Sequence, residues 1–160
     1  VVIVSPSPTP LHQRVTMELS VQLGTFLREH PVGAALPEVD VHLGKSKGGG
    51  DLVYRPDVVF IGAGRLPQIN KMIFGAPEVV VEIVSEESGR YDRETKKGDY
   101  ERFGVEEYWL IDPLEASMIF FRLRDGRFVT VEPDGDVFVS EGVPGFSLDL
   151  ARLRQTFKPW

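Results

Sequence analysis

The apolar positions of this chain change their period several times, and each change predicts an element. From Leu11 to His30, the residues Val15, Leu19, Leu23, Phe26 and Leu27 recur at three- and four-residue spacing. That spacing predicts an amphipathic helix that ends near Pro31. The proline-rich run Ser5-Pro6-Ser7-Pro8-Thr9-Pro10 before it cannot be helical, and the segment starting at Val1 reads as extended. Period-two or continuous apolar runs then predict strands at Glu38–Leu43, Val53–Ile61 and Val79–Val84. The glycine-rich loop Lys45-Ser46-Lys47-Gly48-Gly49-Gly50 joins the first two. A second helix is expected from about Tyr91 to Phe103, stopped by Gly104. After it come a strand at Glu107–Ile111 and a hairpin, Met118–Arg122 with Phe128–Val131, turning at Arg124-Asp125-Gly126-Arg127. A short strand at Val137–Ser140 follows Pro133-Asp134-Gly135-Asp136. The order predicts a mixed α/β (α+β) fold: a central mixed sheet flanked by helices, with C-terminal antiparallel hairpins, as one domain over residues 1–160.

Two acids break this pattern. Glu82 sits inside Val79-Val80-Val81-Glu82-Ile83-Val84, a run that reads as a strand buried on both faces. An ionised carboxylate there costs several kcal/mol unless it is paired. Asp57 leads into a second apolar run in Arg55-Pro56-Asp57-Val58-Val59-Phe60-Ile61. If their strands are neighbours, the two carboxylates converge on one hard divalent cation, Mg²⁺ or Mn²⁺, with open positions for water and a substrate phosphate. The second helix places Asp92, Lys96 and Tyr100 at i, i+4 and i+8, one stripe that can face the acids. Asp57 and Glu82 are therefore the expected metal ligands, and Lys96 the cation that orients the nucleophile. Asp92 and Tyr100 are supporting candidates, as are Gln13 and Glu18 from the first helix. The competing reading of Glu82 is a structural acid paired with an arginine such as Arg55. His12 reads as a cap or surface residue, Trp109 as core packing, and Ser85 to Ser88 as the loop that caps the second helix.

Composition narrows the chemistry. With no cysteine among 160 residues, disulfides, thiolate metal sites and a cysteine nucleophile are excluded. No apolar run approaches the roughly 20 residues that span a bilayer, so a soluble cytoplasmic protein is expected. The net charge of −6 argues against a broadly basic nucleic-acid-binding surface, but a metal nuclease must gather carboxylates in its cleft. Gly62-Ala63-Gly64 lacks the third glycine of a dinucleotide loop.

Four ordered blocks carry a resemblance: Arg55-Pro56-Asp57-Val58-Val59; Val81-Glu82-Ile83-Val84-Ser85; Asp92, Lys96 and Tyr100; and Gly104-Val105-Glu106-Glu107-Tyr108-Trp109-Leu110-Ile111-Asp112-Pro113. Together they resemble the Uma-two-type family, a group of proposed endonucleases in the PD-(D/E)xK, restriction-endonuclease-like superfamily. The resemblance implies a restriction-endonuclease-like core, metal-dependent hydrolysis of DNA phosphodiester bonds, and Asp57, Glu82 and Lys96 as the catalytic set. Two departures stand out. The superfamily's usual lysine, two residues after the second acid, is here Val84, so the role passes to Lys96 on the helix. Family members also usually carry a segment before the strand that starts here at Val1. Duplex cleavage with one active site per chain implies a homodimer. The alternative is a catalytically inactive nucleic-acid- or protein-binding module on the same scaffold. A metal-free hydrolase using the two acids as acid and base is a third class, which requires an aromatic-lined cleft.

Overall fold

A computed structural model describes residues 7–87, 89–158 and 160. The strand expected at Val1 and part of the proline-rich lead-in lie outside them. Helix α1 (Pro10–Glu29) opens with Thr9 as N-cap, whose side-chain oxygen accepts the His12 N–H, and with Pro10 in the first turn, where its missing N–H costs nothing. Val15, Leu19 and Leu23 are fully buried, as their spacing predicts.

Beyond α1 run β1 (Gly33–Pro37), β2 (Val41–Lys45), β3 (Asp51–Tyr54), β4 (Val58–Gly62), a short 3₁₀ helix (Ala63–Gln68), β5 (Ile73–Phe74) and β6 (Val79–Ile83). Then follow α2 (Arg90–Phe103), β7 (Glu107–Asp112), β8 (Ser117–Arg124), β9 (Arg127–Val131), β10 (Val137–Val139), β11 (Ser147–Asp149) and α3 (Leu150–Gln155). A six-stranded sheet in the order β1-β4-β6-β7-β8-β9 forms the centre, antiparallel except for the parallel pair β6–β7. That parallel pair needs a crossover, and α2 is the crossover. A small sheet, β3-β2-β5, and the pair β10–β11 complete the strands.

The central strands alternate between two cores. One face sends Val58, Phe60, Val79, Val81, Trp109 and Phe120 against α1, β10, β11 and α3. The other sends Val59, Ile61, Val80 and Tyr108 against α2 and the small sheet. Every residue of β6 is buried, which is why its sequence reads as an unbroken apolar run rather than an alternation.

Two expected strands are corrected. Glu38–Leu43 is not one strand: β1 ends at Pro37, Glu38 adopts a positive φ of 49°, and β2 begins at Val41 in another sheet. Val53–Ile61 likewise divides into β3 and β4, because Arg55-Pro56-Asp57 carries the chain from the small sheet to the central one. Pro56 has no N–H to donate to a continuous ladder. Gly33-Ala34-Ala35-Leu36-Pro37, weakly strand-like in composition, nonetheless pairs with β4 along its whole length. A Cβ on Gly33 would lie 2.2 Å from the Ile61 carbonyl oxygen and 2.5 Å from the Phe60 ring. The second helix and the hairpin fall where expected; Gly104 ends α2 in the left-handed region, and Asp125 and Gly126 take the positive φ of a two-residue turn. Gly89 is the N-cap of α2 and makes no side-chain cap bond; Ser88, part of the loop expected to cap the helix, lies outside the described residues. Among the described residues, no helix is long and apolar enough to cross a membrane.

One buried acid belongs to the fold alone. Glu107 is fully buried at the start of β7, and its Oε2 lies 2.8 Å from Arg122 Nη2 and accepts from Arg122 Nε and the Glu141 N–H. Its Oε1 accepts from Ser140 Oγ at 2.6 Å and from the Trp109 indole at 3.3 Å. Removing the arginine leaves a buried charge without its counterion. Arg122→Met is therefore expected to cost about 3–5 kcal/mol in denaturant unfolding, whereas the exposed Glu141→Gln costs under about 1 kcal/mol. Equal losses would mean that Glu107 does not depend on the pair.

Candidate active site

The antiparallel register sets the site. Val58 pairs with Val81, so one step further brings Asp57, at the mouth of β4, opposite Glu82, near the end of β6. Alternation then points both side chains to the face that carries Val59, Ile61 and Val80. Asp57 Oδ2 accepts the Ile83 N–H at 2.6 Å and ties the two strand ends together. Across that face, α2 presents the stripe read from the sequence. The Tyr100 hydroxyl donates to Glu82 Oε1 at 2.6 Å. Lys96 Nζ stands 3.7 Å from Glu82 Oε1 and 3.6 Å from Asp92 Oδ2, with the Tyr54 ring centroid 5.6 Å away. Edge-to-face contacts of Tyr54 with Tyr100 (5.7 Å) and of Tyr100 with Tyr108 (5.2 Å) hold the wall behind them.

Asp57, Glu82, Lys96, Tyr100 and Asp92 thus come together. Glu18 does not join them: it turns toward α3, 4.0 Å from Arg152 and bonded to Gln22. Gln13, exposed on α1, meets the acids only through its neighbour His12. Arg55 pairs with Asp40 at 2.8 Å, so it is not the counterion of Glu82.

His12 is the residue that sequence reading misplaced. It is neither a cap nor exposed: it is buried, and its Nε2 lies 2.8 Å from Asp57 Oδ1. Its Nδ1 is buried without a partner among the described residues. The signal was present, because His12 stands three residues before Val15 and seven before Leu19, in phase with the buried stripe of α1. A polar residue on that stripe needs a partner inside, and Asp57 is the one it meets.

The charges are strongly perturbed. Burial pushes the Glu82 carboxyl up to about 8, with Lys96 pulling it down and Asp57 pushing it further up. Burial alone would lower Lys96, but Glu82, Asp92 and Asp57 outweigh it and hold its ammonium above the usual lysine range. Burial would also lower His12, and its hydrogen bond to Asp57 reverses that. Burial and then Glu82 raise Tyr100, which keeps its hydroxyl proton as a donor.

The buried Glu82 and the half-buried Asp57 share a face with one ammonium, which stands between Glu82 and Asp92, so negative charge is incompletely offset. Among the described residues, no group of three or more His, Asp or Glu side chains gathers closely enough to hold an ion. Asp57 and Glu82 alone supply two hard oxygen donors, a set that suits a divalent cation taking its other ligands from water and substrate. Beside Glu82, Lys96 and Asp92 lies a recess of about 20 Å³, also bounded by Arg93 and Tyr108. It has room for roughly one water-sized group.

The profile of the Uma2 family, described as "Putative restriction endonuclease", matches residues 1–151. A solved structure from Anabaena variabilis ATCC 29413, described as a putative nuclease belonging to DUF820, overlaps this fold with a TM-score of 0.80. It is 21% identical, and the overlap covers 98% of this chain and 87% of that one. A cryoEM structure of a DrdV–DNA complex overlaps 92% of this chain and 13% of that one, at 16% identity and a TM-score of 0.35. No curated protein matches the sequence.

The raised Glu82 pKa has a signed consequence for stability. Its folded value lies above the ordinary carboxylate value of 4.5, so the stabilisation is complete below that pH and is lost as pH rises toward about 8. In chelator, the melting temperature of the wild type should fall between pH 5 and pH 8. Glu82→Gln, which keeps the shape without the charge, should flatten that fall and melt higher than wild type at pH 8. Parallel Tm–pH curves for the two proteins would show that Glu82 is not the buried titrating group.

Proposed function

The chain belongs to the Uma2 family, and from that premise we propose that it is a Mg²⁺- or Mn²⁺-dependent endonuclease hydrolysing DNA phosphodiester bonds at Asp57, Glu82 and Lys96. The observation that carries the reading is the pairing of two inward carboxylates on adjacent strands with a lysine 3.7 Å from one of them. Glu107 shows how the same sheet satisfies a structural acid, and Glu82 lacks a comparable set of donors, which supports the reading.

Asp57 and Glu82 would hold the metal. When bound, the cation neutralises charge on the phosphodiester and makes a bound water more acidic. The chain's own residues do the remaining work. His12 and the Ile83 N–H fix Asp57 from two sides, and Tyr100 fixes Glu82. Both acids are therefore oriented before any ligand arrives, and that preorganisation is the main contribution a rigid site makes. Lys96 takes the place of the superfamily lysine that Val84 cannot supply. Its ammonium borders the water-sized recess, where it can donate to the attacking water and to a non-bridging phosphate oxygen. Water adds to phosphorus, the P–O bond to the leaving oxygen breaks, and that oxygen takes up a proton. Cleavage of both strands of a duplex would take two copies of the chain, so the active form on duplex is a homodimer in this reading.

The net charge of −6 favours the second reading, a binding module on the same fold that has lost its chemistry. Supercoiled plasmid separates the two. With Mn²⁺ the wild type should nick it and with chelator it should not. Glu82→Ala and Lys96→Ala, each verified as folded by circular dichroism, should each lower the rate by about 10²-fold or more. No cleavage by the wild type on duplex, single-stranded or branched DNA would leave the binding module; metal-dependent nicking untouched by both substitutions would place the active site elsewhere.

A further inference from the structure

A second depression opens beside the recess at Glu82. It measures about 240 Å³ and lies between α2 and the strands β7 and β8. The two adjoin, since Arg93, Tyr108 and Leu110 line both. Its helical wall carries Arg90, Arg93 and Lys97, at i, i+3 and i+7 along one face of α2, with one acid, Glu94, among them, so the wall is net positive.

In a chain of net charge −6, these cations are notably unspent. Arg90 makes no ion pair among the described residues. Among the described residues the Lys97 ammonium meets the Phe121 ring, 4.4 Å from its centroid, and no carboxylate. Arg93 stands 3.7 Å from Asp112 Oδ2, a long contact. Asp112 is engaged elsewhere, because its Oδ1 accepts the Leu114 and Glu115 N–H groups of the next turn. On the opposite side of the cleft, Ser117 adds a hydroxyl and Ile119 an exposed apolar side chain.

We infer that Arg90, Arg93 and Lys97 form a phosphate track that holds the DNA backbone on one side of the bond cleaved at Asp57, Glu82 and Lys96. The inference rests on the nuclease reading above and adds the direction in which the strand leaves the site. Charge complementarity selects the occupant: a row of cations in a cleft that adjoins the recess at Glu82 and Lys96 suits a polyanion whose charges repeat. Arg90 and Lys97 are separated by roughly 10 Å along the helix axis. Three cations over that length can meet neighbouring phosphates of one strand. Such contacts set register and carry no sequence information, so the track predicts binding that is strongly salt-dependent and weakly selective.

The test is binding rather than cleavage, which separates this inference from the nuclease reading. Anisotropy of a fluorescent duplex is followed against salt, with Ca²⁺ in place of Mg²⁺, for the wild type and for Arg90→Gln, Lys97→Gln and the triple variant with Arg93→Gln. Each single variant should make the slope of log K against log salt shallower by about 0.9, and the triple by about 2 to 3. The triple should also raise Kd at least about tenfold near 0.1 M salt. Arg90 and Lys97 hold no ion pair among the described residues, so the single variants remain informative even if the triple is unstable. A control, Lys45→Gln with Lys47→Gln in the β2–β3 loop, should leave the slope unchanged. Unchanged slopes in the α2 variants, or a slope lost in the loop variant, would overturn the track. Wild type that binds with the expected slope yet never cleaves supports the track while the nuclease reading falls; wild type that binds neither duplex nor single strand overturns both.

Discussion

The hydrogen bond from the Ile83 N–H to Asp57 Oδ2, 2.6 Å long, is the constraint on which the site depends. It closes the β4–β6 ladder one step past its last backbone pair and replaces a main-chain acceptor with a carboxylate. Asp57 therefore cannot move without loosening β6, and Glu82 cannot leave the face it shares with Asp57 without shifting the register. A slip of one residue would send every side chain of β6 to the other core. Because β6 is buried along its whole length, such a slip would put Glu82 among Val58, Phe60 and Trp109, with no cation in reach. Register and electrostatics thus reinforce each other.

Two buried glutamates in neighbouring strands show what distinguishes a structural acid from a candidate catalytic one. Glu107 meets an arginine with two donors, a serine, an indole and a backbone N–H, so its lone pairs are filled by the fold. Glu82 meets a tyrosine hydroxyl, a second acid and an ammonium held at 3.7 Å. The first arrangement stabilises a charge where it is; the second leaves it poorly neutralised beside a gap of about 20 Å³. Poor neutralisation raises the cost of the folded state and also favours a dication, which is the trade expected at a functional site.

Helix α2 links these parts. As the crossover between parallel β6 and β7, it must lie across the sheet near the ends where Glu82 and Asp112 sit. One stripe, Asp92, Lys96 and Tyr100, turns to the acids, and Tyr100 anchors it by packing against Tyr54 and Tyr108. The neighbouring stripe carries Arg90, Arg93 and Lys97 along the cleft that adjoins the recess. One short helix therefore serves the proposed chemistry on one face and the proposed backbone contact on the next. Only Tyr100 of the helix is fully buried, which explains its low apolar content.

Local pattern determined a good deal here. Helix periods located α1 and α2, the Asp-Gly turn located the β8–β9 hairpin, and a carboxylate inside a β-branched run identified Glu82, because each signal arises within a few residues of chain. The i, i+4, i+8 spacing likewise put Asp92, Lys96 and Tyr100 on one stripe. Where the chain passes between sheets, local pattern was silent: Pro37, Glu38 and Pro56 interrupt strands whose apolar residues continue across the break. The phase of α1 puts His12 on the buried stripe, but its partner is 45 residues away in sequence and is met only when α1 lies across the mouth of β4. The pairing of Asp57 with Glu82, the turning of Glu18 toward Arg152, and the joining of the α2 cations to the site all follow from strand order and helix packing. Those contacts are long-range, and only the folded chain decides them.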